Sequence, residues 1–231
     1  MNKIAIMGAM PEEIAPILEK LETYKTTKYA GNNYYEASYK GVELVVAYSK
    51  IGKVFSTLTA ATMIEHFGCI KLLFSGVAGA VSAELKVGDL VVATKLSQHD
   101  LDITAFGHPF GFVPEGSVFV EADKEMIDLS LKVAAKMDKK VQKGIIATGD
   151  QFVANEERKN WILETFDASA LEMEGGSVAV VCDALNVPFF ILRSISDAAD
   201  MDASFSFDEF LESSAIISAK FVMNMVEEII S

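Results

Sequence analysis

Val187-Pro188-Phe189-Phe190-Ile191-Leu192-Arg193-Ser194-Ile195-Ser196-Asp197 is a continuous apolar run interrupted by a single arginine. A strand that is apolar on both faces belongs in the middle of a parallel sheet with helices covering it. The chain is therefore read as α/β. Arg193 sharpens the constraint, because a guanidinium at that depth is costly unless a carboxylate answers it. The only other arginine is Arg158, in a charged segment. Glu13 and Glu174 are the candidate partners for Arg193, since both fall at the ends of other strands. Asp197 closes the run, where it suits either a helix cap or Asx-turn or a functional carboxylate at the ligand edge of the sheet.

The rest of the chain supplies the alternation of strands and helices that such a sheet requires. Residues 3–7 form an apolar run ending at Gly8, and Pro11 opens a helix with Ile14, Ile17, Leu18 and Leu21 at helical spacing. Residues 34–39 and 42–48 read as a hairpin about Lys40-Gly41. A helix is expected over 54–67, with Leu58, Ala61, Met63, Ile64 and Phe67 against the sheet. Strands are expected at 71–80, after the turn at 86–89, and at 141–148, with helices over 124–137 and 156–164. Ser206-Phe207-Asp208-Glu209 has capping-box spacing and opens a long apolar helix to about Ile230. With 231 residues and 51% hydrophobic content, one domain over 1–231 is expected.

Lys+Arg 20 against Asp+Glu 33 gives a formal net charge of -13, which repels phosphate backbones and anionic lipid headgroups. Nucleic acid and membrane surfaces are thereby excluded as partners. No apolar stretch approaches the roughly 20 residues that span a bilayer. The N-terminal run meets Pro11-Glu12-Glu13 too soon to be a signal-peptide h-region. Cys69 and Cys182 lack C-x-x-C spacing and suit small buried hydrophobes in a reducing cytoplasm. His66, His99 and His108 are scattered, so neither a metal centre nor a cofactor is expected.

Candidate chemistry gathers where strands end. Residues 168–181 read as a short buried strand running into a helix, so Glu172 and Glu174 bracket Met173 at the junction. Gly175 and Gly176 let the backbone turn sharply and another group come close. Solvated first-turn acids, favoured by the helix dipole, would show the same spacing, as would Glu12 and Glu13 after Pro11. Phe152, just past a strand end in Gly149-Asp150-Gln151-Phe152-Val153, suits a stacking face beside backbone donors and acceptors. Residues 97–117 form a long connection with three glycines, two prolines and three phenylalanines, expected to bury its rings against a ligand or another subunit.

Gly8-Ala9-Met10-Pro11-Glu12-Glu13, Gly149-Asp150-Gln151-Phe152, Leu171-Glu172-Met173-Glu174-Gly175 and Arg193-Ser194-Ile195-Ser196-Asp197 stand in one order along the chain. Together with Ile51-Gly52-Lys53-Val54 and Thr104-Ala105-Phe106-Gly107, this set resembles the 5'-methylthioadenosine/S-adenosylhomocysteine nucleosidases of the nucleoside phosphorylase superfamily. The resemblance implies a single-domain three-layer α/β/α fold with a twisted mixed central sheet, a homodimer, and hydrolysis of the adenine N-glycosidic bond of purine thionucleosides. Carried over, it implies that Glu13 activates water and that Asp197 delivers a proton to N7 of adenine. Glu174 would bind the ribose hydroxyls, and Arg193 would help to hold Glu13 and the water. Phe152 would stack on adenine, the Val153 backbone would read the purine edge, and Phe207 would lie near the base or thio substituent. Ala9, Met10, Ile51, Val77, Ala78, Gly79, Glu172, Met173 and Ser196 would complete the pocket, with Phe106, His108 and Pro114 reaching in from the neighbouring subunit. Val77 departs from the pattern, since a serine there often contributes a hydroxyl near the water.

The residues fit that chemistry in their own right. Adenine leaves poorly as an anion, so an acid must neutralise it while negative charge supports the developing oxocarbenium and water enters from the other face. A phosphorolytic relative would need a phosphate site, and Glu13 would repel that anion. A non-catalytic nucleoside sensor would need the pocket but not three carboxylates. A futalosine-type nucleosidase is a further alternative among hydrolases.

Overall fold

Strand β5 (Cys69–Ala80) is the twelve-residue spine of the molecule, and its pairings fix where every other strand lies. The computed structural model describes residues 3–199 and 203–230. β1 (Lys3–Gly8) and β10 (Phe189–Asp197) run parallel to β5 on its two sides, with Leu72 opposite both Ala5 and Phe189. All nine residues of β10 are buried, as a continuous apolar run requires. Outward from β1 come β4 (Val42–Tyr48), β3 (Asn32–Tyr39) and β2 (Lys25–Tyr29). On the other side β10 pairs antiparallel with β6 (Leu90–Gln98), which runs parallel to β8 (Val141–Thr148) and adds the short β7 (Val120–Glu121). β8 is parallel to β9 (Ala168–Glu172), and β9 returns antiparallel to the end of β5.

The mixed sheet expected from the resemblance is therefore present, but it is not open: β5, β10, β6, β8 and β9 close into a five-strand ring. Register shifts in the β10–β5, β6–β8 and β8–β9 ladders accompany that curvature. Helices flank the sheet in two groups. α6 (Ala203–Ile229) lies across β5 and β10 and touches α1 (Pro11–Leu21) and α3 (Lys124–Lys136). α2 (Lys53–Ala61) packs on α5 (Gly175–Ala184), which lies against β6 and β8, and α4 (Glu156–Phe166) covers β8 and β9.

Local chemistry explains the elements. The turn between β1 and α1 needs Gly8, because a Cβ there would come within 2.9 Å of Ile14 Cγ2. Lys40 and Gly41 both take left-handed backbone, at φ 49° and 86°, as a two-residue hairpin turn requires. Both cysteines are free and buried, and burial pushes each thiol up to about 12.

One strand was not expected, and three expectations are corrected. β2 escapes the sequence pattern because Lys25-Thr26-Thr27-Lys28-Tyr29 is a largely exposed polar edge strand with no apolar face. The helix expected over 54–67 is regular only to Ala61 and continues as a π turn over Thr62–His66. Of its expected sheet-facing residues Met63, Ile64 and Phe67 are buried, but Leu58 is exposed and Ala61 only half-buried; Ser56, Thr59 and Ala60 are buried instead, and Val54 and Phe55 point outward with Leu58. The last helix begins at Ala203, so Ser206 lies inside it and is no cap. Its buried small residues Ala215 and Ala219, and Ser218 bonded to Ser75 Oγ at 3.1 Å, let the helix sit close on the sheet.

Candidate active site

β1, β5, β9 and β10 all point their carboxyl ends toward one cavity of about 300 Å³, within the roughly 300–1,000 Å³ of small-molecule sites. Ala9, Met10, Glu13, Ile51, Val77, Ala78, Gly79, Phe152, Val153, Glu172, Met173, Glu174, Ser196, Asp197 and Phe207 line it, joined by Gln151 and Leu171. Fifteen of the candidate residues thus converge from seven segments of the chain. Arg193 lies behind this wall, 1% exposed.

Glu13 sits in the first turn of α1, as the dipole reading expects, but its carboxylate is turned inward and buried. Oε2 accepts the N–H of Ala9 at 2.5 Å and of Met10 at 3.1 Å, and Oε1 accepts the Val77 N–H at 3.0 Å. Burial pushes the Glu13 carboxyl up, against the opposing pull of the Arg193 charge and these three donors. Val77 lacks the serine hydroxyl, and it touches Glu13 through its backbone.

The expectation that Glu13 or Glu174 pairs with Arg193 is overturned. The guanidinium binds Glu172 Oε2 through Nε at 3.2 Å and Nη2 at 2.6 Å. Its Nη1 donates to the Leu192 carbonyl at 3.2 Å, and its plane lies 4.0 Å from the Phe74 ring centroid. The reason is local: Glu172 also receives the Gly175 N–H at 2.7 Å and the Thr148 hydroxyl, so the start of α5 holds it facing β10. Gly175 is required there, because a Cβ would stand 3.1 Å from Glu172 Oε2 and 2.9 Å from Leu96 Cδ2.

Glu174, two residues on, accepts the Gly52 N–H at 2.8 Å. Burial, then the charge of Glu172, pushes its carboxyl up to about 8. Asp197 is buried at the end of β10, where Oδ2 accepts the Ser196 hydroxyl at 2.9 Å and Oδ1 the Ala199 N–H at 2.8 Å. β5 makes room for these acids with two glycines. A Cβ on Gly76 would lie 2.7 Å from Glu13 Oε1, and one on Gly79 would lie 2.7 Å from Asp197 Oδ1. Among the described residues, four carboxylates therefore share the site with one buried cation.

Phe152 stands at the pocket mouth, 49% exposed and edge-on to Phe207 at 5.8 Å between centroids. Its loop is tethered by Asp150, Lys53 and Asp100, none of which has a role assigned from the sequence. Asp150 Oδ1 accepts the Lys53 N–H at 2.8 Å, Asp150 N–H donates to Asp100 Oδ2 at 2.8 Å, and Lys53 Nζ binds Asp100 Oδ1 at 2.6 Å. Asp100 and Asp150 follow the ends of β6 and β8 by two residues, and Lys53 opens α2. Beneath them His99 is buried against Arg158, at 3.1 Å from Nδ1, and burial followed by the Arg158 charge pushes its imidazole down to about 4.

Phe106, His108 and Pro114 do not line the cavity within this chain. Phe106 is 82% exposed, and His108 stacks on Phe112 at 4.5 Å. Phe110, expected to meet a ligand or another subunit, packs edge-on against Trp161 of the same chain at 5.0 Å. Among the described residues no three His, Cys, Asp or Glu side chains come together as a metal set, and no helix is long and apolar enough to cross a membrane.

Residues 3–231 match the phosphorylase superfamily. The chain is 58% identical to the aminodeoxyfutalosine nucleosidase of Campylobacter jejuni, over 99% of this chain and 100% of that one. It superposes on the crystal structure of Campylobacter jejuni 5'-methylthioadenosine/S-adenosyl homocysteine nucleosidase with a TM-score of 0.95 and 58% identity, covering 99% and 100% of the two chains. The Helicobacter pylori 5'-methylthioadenosine/S-adenosylhomocysteine nucleosidase with butyl-thio-DADMe-Immucillin-A matches with a TM-score of 0.97 and 52% identity, over 99% of each chain. Whole-length identity of this order, on the same fold, makes the chain a member of the phosphorylase superfamily, within its nucleosidase branch.

Proposed function

We propose that the chain hydrolyses the N-glycosidic bond of 5'-methylthioadenosine and S-adenosylhomocysteine, releasing adenine and methylthioribose or S-ribosylhomocysteine. The observation that carries this reading is the convergence of Glu13, Glu174 and Asp197 on one cavity with Phe152 at its mouth. Phe152 stacks on adenine, and the Val153 backbone reads the purine edge. Asp197 gives a proton to N7 as the C1'–N9 bond breaks, so the bonding electrons leave on a neutral base. Glu13 takes a proton from the water that attacks C1', and its raised affinity for protons suits a base. Glu174 binds the ribose hydroxyls from the same cavity.

Hydrolysis is favoured over phosphorolysis by the charge balance. The buried guanidinium is committed to Glu172, and Lys53 to Asp100, while Glu13 stands where phosphate would enter. A third substrate, aminodeoxyfutalosine, is favoured by the 58% identity to an aminodeoxyfutalosine nucleosidase. We also place Phe106, His108 and Pro114 at a neighbouring subunit's pocket in a homodimer. The outward Val54, Phe55 and Leu58 of α2 supply an apolar face for that contact. Sedimentation showing only monomer would remove the dimer.

The test is adenine release from the three nucleosides with and without phosphate, resolving free sugar from sugar 1-phosphate. Phosphate-independent release with free sugar is expected. Phosphate-dependent release would make the chain a phosphorylase, and saturable binding without release would make it a sensor.

A further inference from the structure

Glu172 lines the pocket, yet its oxygens are committed to the protein. Oε1 accepts the Thr148 hydroxyl and the Gly175 N–H at 3.0 Å. Oε2 accepts Gly175 N–H at 2.7 Å, Glu174 N–H at 3.3 Å, and Arg193 Nε and Nη2 at 3.2 and 2.6 Å. A carboxylate offers about four lone-pair sites, so little acceptor capacity is left for a nucleoside hydroxyl. Resting on the nucleosidase reading above, we propose that Glu172 is a positioning residue: it anchors Arg193 beside Glu13 and holds a second negative charge against Glu174, without binding the substrate.

The geometry supplies both halves. Arg193 and Glu13 converge at Gly76, where a Cβ would lie 2.7 Å from Glu13 Oε1 and 3.2 Å from Arg193 Nη1. Backbone carbonyls hold Nη1, whereas Nε and Nη2 are both turned to Glu172. Without that anchor the cation is drawn to the nearby acids, and a base paired with an arginine gives up its power to take a proton. The charged groups facing Glu174 are Glu172 on β9, Arg193 on β10 and Glu13 on α1, with the Gly52 N–H from the start of α2. Removing the Glu172 charge and freeing Arg193 act in the same direction: each favours the ionised form of Glu174 and of Glu13.

The experiment is the pH dependence of kcat and KM for wild type, Glu172→Gln and Glu172→Asp, with an adenine nucleoside that the wild type cleaves. Glu172→Gln is expected to lower kcat roughly tenfold or more with KM within about threefold, and to move the acid limb of kcat/KM to lower pH by roughly one unit. Glu172→Asp keeps the charge but withdraws it, so kcat falls while the acid limb stays at the wild-type pH. A merely structural role would cut the active fraction and leave the Glu172→Gln limb unmoved, which overturns the inference. So does a rise in KM at unchanged kcat, the mark of direct substrate contact. If Glu172→Gln does not fold, Glu172→Asp decides: wild-type kcat or a raised KM overturns the inference, and a kcat loss at unchanged KM and pH limb supports it. No adenine release by the wild type removes the nucleosidase reading and this inference with it. An active wild type with an unmoved Glu172→Gln limb removes only this one.

Discussion

The Gly52 N–H donates to Glu174 Oε1 across 2.8 Å, tying the start of α2 to the carboxylate that follows β9. One backbone donor does not offset the burial of that acid and the charge of Glu172 beside it, and the carboxyl rises from its ordinary 4.5 to about 8. The folded state therefore binds this proton more tightly than the unfolded chain. Its contribution to stability is complete below about pH 4.5 and is lost as the pH rises through about 8. Glu174→Gln removes that dependence. Thermal melts of the unliganded protein should show wild type losing ground to Glu174→Gln between pH 5 and 8, on the order of 2 kcal/mol. Parallel curves for the two proteins would show that Glu174 is ionised as easily folded as unfolded.

Asp197→Asn should abolish hydrolysis while leaving the fold intact. The amide keeps an oxygen that can accept from Ser196 Oγ or from the Ala199 N–H, but carries no acidic proton for the leaving base. A loss of at least about 10²–10⁴ in kcat is expected, with adenine-nucleoside affinity retained. Turnover within tenfold of wild type would take Asp197 out of the chemistry and return it to the role of an Asx-turn.

Gly76→Ala places a methyl group 2.7 Å from Glu13 Oε1 and 3.2 Å from Arg193 Nη1. Neither neighbour is a flexible surface side chain: Glu13 is held by three backbone donors and Arg193 by Glu172. The variant should lose about 1–3 kcal/mol in urea unfolding and more than about a hundredfold in kcat/KM. Equal stability and activity would mean that β5 and α1 shift apart without cost.

Much of this was legible in the sequence because each acid follows a strand whose apolar pattern is plain. β10 announced itself as a buried central strand, although it is parallel to β5 and antiparallel to β6, and Glu13, Glu174 and Asp197 were placed by counting to strand ends. The partner of Arg193 was not legible. Strand alternation puts Glu172 and Glu174 on one side of the chain, but the N–H groups opening α5 turn the first carboxylate toward Arg193 and leave the second for the cavity. Closure of the ring was equally hidden, since the contact of β9 with β5 is only two residue pairs long and leaves no periodic trace. The outward face of α2 misled because apolar residues at helical spacing look the same whether they meet the sheet or solvent.

Phe152 separates binding from chemistry most cleanly. Its ring is half exposed at the cavity mouth, meets Phe207 edge-on, and belongs to a loop held by Asp150, Asp100 and Lys53 rather than by its own packing. Truncation therefore creates no core cavity, and Phe152→Ala should stay within about 0.5 kcal/mol of wild-type stability. A base stacked on that ring loses about 1–3 kcal/mol of binding, which appears as a rise in KM of roughly tenfold or more. Because stacking is made equally in the ground and transition states, kcat should hold within a few fold. Steady-state kinetics with 5'-methylthioadenosine, alongside urea unfolding, check both halves. A large kcat loss at unchanged KM would mean that Phe152 shapes the transition state, whereas a stability loss above about 2 kcal/mol would make it the core phenylalanine that a lone aromatic past a strand end more often is.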